Sequence, residues 1–188
     1  MSAVEQITKD ELLAHLLLLD LEARRMRFGF SCNDESVAKY VDGIAASDYI
    51  LGIRESVTSD KIVAVIHLAI ESDGTTAEMG LSTLKESRRN GFAEKLLRYA
   101  VAMLRNRGID QIYSVCLPDN VPLLTLIRKL NITSITSTPD DKQAVISIPM
   151  VGIDSIMSEI YNQRMVIIDR SMKPWAALWE GMLTKNEK

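Results

Sequence analysis

The sequence predicts a mixed α/β fold, a central sheet layered by helices. Three observations carry this. Residues 61–70 run with almost no polar interruption, which fits a central strand covered on both faces. Ser72-Asp73-Gly74 is a turn, and 77–84 is a second short apolar segment free of proline, so the two strands are expected to form a hairpin. Residues 90–107 then have helical spacing: Phe92, Leu96, Ala100 and Met103 make one stripe, flanked by Ala93, Leu97 and Leu104. Glu94 stands four residues before Arg98, the favourable order for a helix pair, and Gly108 follows as a C′ cap.

The remaining elements follow in chain order. Thr8 N-caps a first helix, Glu11 completes a capping box, and Leu12, Leu16 and Leu19 continue it. His15 lies on or beside this leucine-rich face and reads as a surface or boundary histidine. Arg24, Arg25 and Arg27 form a basic cluster with two readings: a solvated helix end, or a contact to an acidic substrate or a coenzyme phosphate. Asn33 to Ser36 open a second helix that ends near Gly43, and 49–55 is a strand. His67, inside the 61–70 strand, reads as a hydrogen-bonded core histidine. Residues 111–117 form another strand, stopped by Pro118. Asn120 caps a helix running to Lys129, with Pro122 tolerated in its first turn. Two final strands are expected at 132–137 and 143–150, joined by Pro139-Asp140-Asp141. Beyond them, 153–161 has helical character, 165–168 is a short apolar run, and Pro174 opens a helix carrying Trp175 and Trp179 on one face. These residues suit either a tail packed on its own domain or an oligomer contact.

The 188 residues suffice for one domain, or for a domain of 1–150 with a C-terminal helical extension of 151–188. With 47% apolar and 25% charged residues the chain reads as globular. A net charge of −3 argues against a general nucleic-acid binder. Two cysteines, Cys32 and Cys116, make neither a disulfide framework nor a metal cluster, so no metal is expected. The leucine-rich 12–21 segment is too short to span a bilayer and follows acidic residues rather than a positive signal region. A cytoplasmic protein without a membrane partner is the expectation.

Between the 77–84 strand and the long helix lies Lys85-Glu86-Ser87-Arg88-Arg89-Asn90-Gly91-Phe92-Ala93. Free N–H groups of a first helical turn can hold an anion, and a small residue lets a phosphate approach the backbone. Arg88 to Ala93 fits Gln/Arg-x-x-Gly-x-Gly/Ala and resembles the acetyl-CoA pyrophosphate loop of the GNAT-type N-acetyltransferase superfamily. The surrounding order of strand, loop, long helix, strand and Asn120 matches the family's central motifs over roughly 60 residues. A looser resemblance, from Arg24 to about Met150, is nearest to acetyltransferase modules associated with acyl-CoA synthetases, some of which acetylate protein lysines. Its cues are Arg24-Arg25-Met26-Arg27-Phe28, Tyr40-Val41 and Val65-Ile66-His67-Leu68.

The resemblance implies a mostly antiparallel central sheet and acetyl-CoA as co-substrate. It implies pyrophosphate contacts from Arg88, Arg89, Asn90, Gly91, Phe92 and Ala93. It also implies pantetheine contacts from the backbone of Leu84 and its neighbours and from Asn120. Glu78, at the start of the strand, resembles the family's frequent general base; its other reading is a salt-bridged carboxylate at the sheet's edge. Two positions depart from the pattern. The family often places a tyrosine seven residues after the asparagine, where Ile127 stands here, and Asn131-Ile132 replaces a closing Gly-Phe. Tyr113 and Cys116 are the nearby substitutes for a general acid. The resulting expectation is transfer of an acetyl group to a primary amine, of a protein lysine or a small molecule, with a homodimer possible. The alternative is a non-catalytic acyl-CoA-binding or partner-binding module on the same fold. Neither Gly-x-Gly-x-x-Gly nor a Gly-Lys-Ser/Thr loop occurs, which weighs against another phosphate-binding fold.

Overall fold

The structure, a computed structural model, describes residues 3–129, 133–137, 142–147 and 153–183, with side chains within 3–129 and 156–174. The Pro139-Asp140-Asp141 turn, the 131–132 position and the side chains of Trp175 and Trp179 lie outside the described residues. The order is β1 (Val4–Gln6), α1 (Lys9–Leu17), α2 (Leu21–Phe28), α3 (Asp34–Asp42), β2 (Tyr49–Arg54), β3 (Ile62–Ile70) and β4 (Thr76–Thr83). After a 3₁₀ turn at Lys85–Ser87 come α4 (Phe92–Arg105), β5 (Gln111–Cys116), α5 (Val121–Arg128), β6 (Thr133–Ser137), β7 (Lys142–Ser147) and α6 (Ile153–Leu183). The strands form one sheet in the order β1-β2-β3-β4-β5-β7-β6. Every neighbouring pair is antiparallel except β4 and β5, which α4 joins in parallel.

The hairpin forms as its turn residues dictate. Asp73 accepts from the N–H groups of Thr75 and Thr76 and from the Thr76 hydroxyl, and β3 pairs with β4 from Ala64↔Thr83 to Ile70↔Ala77. β3 is buried from Ile62 to Leu68, as its unbroken apolar run requires. α4 inserts Leu96, Leu97, Ala100, Met103 and Leu104 into the core, all 3% exposed or less. Burial of each leucine contributes about 1.5–3 kcal/mol, so this stripe anchors the helix to the sheet.

Four local expectations are corrected, and one strand that the sequence did not announce is added. β1 lies at the sheet's edge, and three residues are too few to show an alternating pattern. The leucine-rich segment is two helices, because the Asp20 carboxylate accepts the Ala23 N–H at 2.7 Å and starts α2 afresh. His15 is only 1% exposed, so it is a core histidine and not a boundary one. Arg24 is likewise buried: its guanidinium donates to the carbonyls of Leu17 and Leu19 and to Asp34 at 2.6 Å, satisfying groups freed where α1 ends. Arg25 pairs with Glu22 and, at 2.6 Å, with Asp119. Of that basic cluster, only Arg27 has no carboxylate partner among the described residues. Finally, Pro174 lies inside α6, whereas the sequence suggested a helix start.

α6 crosses the outside of α4 and β1. Asn162 donates to the Val4 carbonyl at 2.6 Å and accepts from its N–H, Asp169 accepts from the Ala3 N–H, and Glu159 takes Asn106 and Arg107 at 2.8 Å each. Its opposite face exposes Ile156, Met157, Ile160, Tyr161, Ile167, Ile168 and Met172.

Candidate active site

The site begins where the sheet opens. β4 and β5 pair only at Thr76↔Gln111, Ala77↔Ile112 and Glu78↔Tyr113. Beyond this β4 stays with β3 as far as Thr83, and β5 stays with β7 as far as Cys116. Two adjacent strands that part in this way leave a wedge edged by backbone groups. The register says which groups. Glu71 donates to the Thr76 carbonyl and Leu84 to the Val63 carbonyl, both at 2.9 Å, so even-numbered residues of β4 bond to β3. Leu81 and Thr83 therefore turn their N–H and C=O toward the wedge. Leu84 does not: its N–H is committed to Val63, its carbonyl accepts from Ser87 at 2.9 Å, and its side chain is buried.

The loop after β4 leads to the start of α4. Arg89 and Gly91 have φ of +65° and +79°, and Gly91 is the N-cap, with no side-chain cap bond. The first rung is Lys95 N–H to the Gly91 carbonyl at 3.0 Å. Among the described residues no acceptor meets the N–H groups of Asn90, Gly91, Phe92 and Ala93. A Cβ on Gly91 would find nothing within 4 Å, so glycine serves the backbone conformation and leaves open space rather than fitting a neighbour. Arg88 and Arg89 are exposed and enter no ion pair among the described residues. The one acid of the helix's first turn, Glu94, is occupied by Arg98 at 2.9 Å and Lys129 at 3.7 Å. Such a row of unmet donors at the positive end of a 14-residue helix suits a pyrophosphate.

Asn120 is 8% exposed at the start of α5. Its carbonyl oxygen accepts from Leu123 N–H at 3.3 Å, and its amide donates to the Met26 carbonyl at 3.2 Å, tying α5 to α2. One amide hydrogen and one oxygen lone pair remain. Glu78 is exposed and makes no ion pair or hydrogen bond among the described residues, so the salt-bridged alternative finds no support. On the strand beside it, the Tyr113 hydroxyl donates to Glu71 at 2.5 Å; that bond, then burial, then the charge of Glu78 raise its pKa. Its proton is thus held by a carboxylate rather than offered to a leaving group. Cys116 is buried and in no disulfide. Ile127 is wholly buried in the core, so a tyrosine at this position would overpack.

Sequence reasoning missed how α1 and α2 meet β4 and how α3 meets β3. His15 Nδ1 donates to the Ile62 carbonyl and its Nε2 accepts from the Ser82 hydroxyl, both at 2.9 Å. Burial, the largest cause, lowers its pKa to about 4. His67 Nε2 donates to Asp48 at 3.1 Å, and its Nδ1 accepts from the Tyr40 hydroxyl at 2.6 Å. Burial first, then the charge of Arg27, lower its pKa as well. Both rings are therefore neutral at pH 7. Gly80, two residues past the last β4–β5 rung, lies under the Arg27 guanidinium. A glycine inside a strand pattern is the one signal that could have pointed to this close approach.

Among the described residues no group of three or more His, Cys, Asp or Glu could hold a metal. A cavity between β1, β2 and α6 lies away from the wedge. Its charges already pair with one another, Arg54 with Glu5, Arg170 with Glu5 and Lys173 with Asp60.

Residues 16–131 match the model of the acetyltransferase (GNAT) family. Among solved structures, the chain is similar to the GNAT domain of S. lividans PAT at 18% identity and a TM-score of 0.64, covering 77% of this chain and 89% of that one. It is similar to a putative phosphinothricin N-acetyltransferase at 15% identity and a TM-score of 0.62, covering 81% and 100%. The ribosomal-protein-S18-alanine N-acetyltransferase from Escherichia coli aligns at 14% identity and a TM-score of 0.60, covering 82% and 98%. At these identities the likeness is one of fold. No curated protein matches the chain in sequence.

Proposed function

The chain belongs to the acetyltransferase (GNAT) family, and on that premise we propose that it transfers an acetyl group from acetyl-CoA to a primary amine. The observation that carries the reading is the wedge between β4 and β5, which runs toward the unmet N–H groups of Asn90 to Ala93. In this reading those groups, with Arg88 and Arg89, hold the pyrophosphate. Leu81 and Thr83, neighbours of Leu84, meet the pantetheine as an added strand would. Asn120 supplies its remaining amide hydrogen.

Attack requires a neutral amine. With a pKa of about 10.4, an alkylamine is neutral in about one molecule per thousand near pH 7.4, a deficit of about 4 kcal/mol. Glu78, an unpaired carboxylate where the strands part, is the base we assign, directly or through water. The amine nitrogen bonds to the thioester carbonyl carbon, its proton passes to Glu78, and collapse of the intermediate breaks the C–S bond. A thiol pKa of about 8.5 lets the sulfur leave as thiolate without the tyrosine that Ile127 replaces.

The finer likeness, to acetyltransferase modules associated with acyl-CoA synthetases, rests on Arg24 to Phe28, Tyr40-Val41 and 65–68 and belongs to the same proposal. So does the division into a 1–150 domain and a 151–188 extension. A cytoplasmic setting is supported by two buried cysteines in no disulfide and by the lack, among the described residues, of any helix long and apolar enough to cross a membrane. A homodimer through α6 is also proposed. Seven apolar side chains there are 41–67% exposed. At about 200 Å² each when bare they offer about 750 Å² per copy, close to one partner's share of a standard interface.

Calorimetric titration with acetyl-CoA, followed by thiol release against a panel of amines, tests the reading. No binding at millimolar acetyl-CoA would overturn it. Binding without transfer to any amine would leave a coenzyme-binding module.

A further inference from the structure

Arg27 is half-buried on the last turn of α2, yet no carboxylate lies within ion-pair distance of it among the described residues, while Arg24 and Arg25 beside it are both paired. A half-buried cation without a counter-ion is costly unless something meets it. Its guanidinium lies against β4 at Gly80, where a Cβ would come within 1.9 Å of Cζ and of Nη2. The rings of Phe28 and Tyr40 stand 5.0 and 5.3 Å from it. Nη2 donates to the Tyr40 hydroxyl at 2.6 Å, which donates to His67 Nδ1, and His67 Nε2 donates to the Asp48 carboxylate. Asp48 is fixed in turn by the N–H groups of Ala45 and Ile70. This chain orients the guanidinium and uses one of its five N–H donors.

The position gives the orientation a purpose. Gly80 is paired with His67 across β3–β4, so Glu78, Gly80 and Ser82 share the face that α1 and α2 cover. Gly80 is the second residue beyond the Glu78↔Tyr113 rung, where the wedge opens. The unpaired guanidinium and the unpaired Glu78 carboxylate therefore stand on one face, two residues apart along the strand. Resting on the acetyltransferase reading above, we propose that Arg27 binds a carboxylate of the acceptor, so that the acceptor is a small amine that also carries a carboxylate, such as an amino acid, rather than a protein lysine. Arg27 takes the carboxylate through its free planar edge, and Glu78 receives the ammonium.

The test uses the full chain and amine pairs that differ by one carboxylate: lysine against cadaverine, phenylalanine against phenethylamine, glutamate against 4-aminobutyrate. Initial rates come from thiol release and binding to the CoA-loaded protein from calorimetry. We expect the carboxylate-richer member of at least one pair to be preferred by about 10–100-fold in kcat/KM, the scale of a charged hydrogen bond. Arg27→Met should remove that preference, chiefly through KM, and leave acetyl-CoA affinity unchanged. Arg27→Lys should restore part of it. Equal turnover of both members of every pair by the parent, or better turnover of a lysine-containing peptide, overturns the proposal and leaves the acetyltransferase reading standing. An equal loss on both members in Arg27→Met, with lowered thermal stability, would make Arg27 a structural residue. Loss of succinyl-CoA use in Arg27→Met, with the amine preference intact, would move the anion to the acyl chain and also overturn it. Should the parent turn over no amine, the absence of amino-acid binding to the CoA-loaded protein decides against the proposal. A parent that does not bind acetyl-CoA removes both readings.

Discussion

Gly91 separates what the coenzyme needs from what the fold needs. Its φ of +79° costs an L-residue about 1–2 kcal/mol. A Cβ there meets no protein atom within 4 Å, so no steric cost is added. Gly91→Ala should therefore lower stability by about 1–2 kcal/mol, a few degrees in melting temperature for a chain of this size. The same methyl group projects beside the N–H groups assigned to the pyrophosphate. Losing one or two charge-assisted bonds at about 1.5–3 kcal/mol each weakens acetyl-CoA by 10-fold or more, and Gly91→Glu adds like charge and should abolish binding. The parent supplies the scale: at a hundredfold excess over Kd, acetyl-CoA should stabilise it by about 2.7 kcal/mol. Thermal melts with and without coenzyme, beside calorimetric titration, read both effects. If Gly91→Glu folds and binds acetyl-CoA as tightly as the parent, the pyrophosphate is elsewhere and the loop assignment is wrong.

Other outcomes follow from the same geometry. Glu78→Gln should lower kcat/KM by about 10²–10⁴-fold with unchanged acetyl-CoA affinity and a defect that shrinks at high pH; full activity at every pH would remove Glu78 from the mechanism. His15, held at a pKa of about 4 by burial, binds its proton more weakly folded than unfolded. Its contribution is thus complete above about pH 6.5 and is lost as pH falls to about 4, amounting to about 3 kcal/mol. Urea unfolding between pH 4 and 7 should show that slope reduced in His15→Gln, and an unchanged slope would contradict the neutral, buried ring. Ile168→Glu on the outer face of α6 should convert a dimer to a folded monomer in sedimentation, and a parent that is monomeric at tens of micromolar excludes that interface.

Much of the fold was legible because its longer elements carry strong periodic patterns. The 61–70 run, the Ser72-Asp73-Gly74 turn and the 92–104 stripe each point to one local structure, and the Thr8 and Asn120 caps both form. What failed was the reading of boundaries between like segments. The leucines on both sides of Asp20 hid a helix break that one carboxylate makes. β1 is recruited by pairing Val4↔Ile53 to Gln6↔Leu51, a tertiary event with no local signature. Proline is common at helix starts, so Pro174 points to one, and α6 instead carries it internally.

The site was legible only as far as it is local. The loop from Arg88 to Ala93 is contiguous, so its residues could be named together. Which backbone groups line the wedge depends on parity, and parity depends on the β3–β4 register. Glu71 to Thr76 and Val63 to Leu84 set it, and a shift of one residue would have turned Leu84 toward the wedge and Leu81 away. The acceptor side is less local still. Arg27, Tyr40, His67 and Gly80 span more than fifty residues and meet only because α2 and α3 cover the same face of β3 and β4. Sequence alone could weigh Arg27 only as one of three neighbouring arginines. The fold divides them, turning Arg24 inward to helix carbonyls, tying Arg25 to Asp119, and leaving Arg27 against a glycine with its charge unanswered.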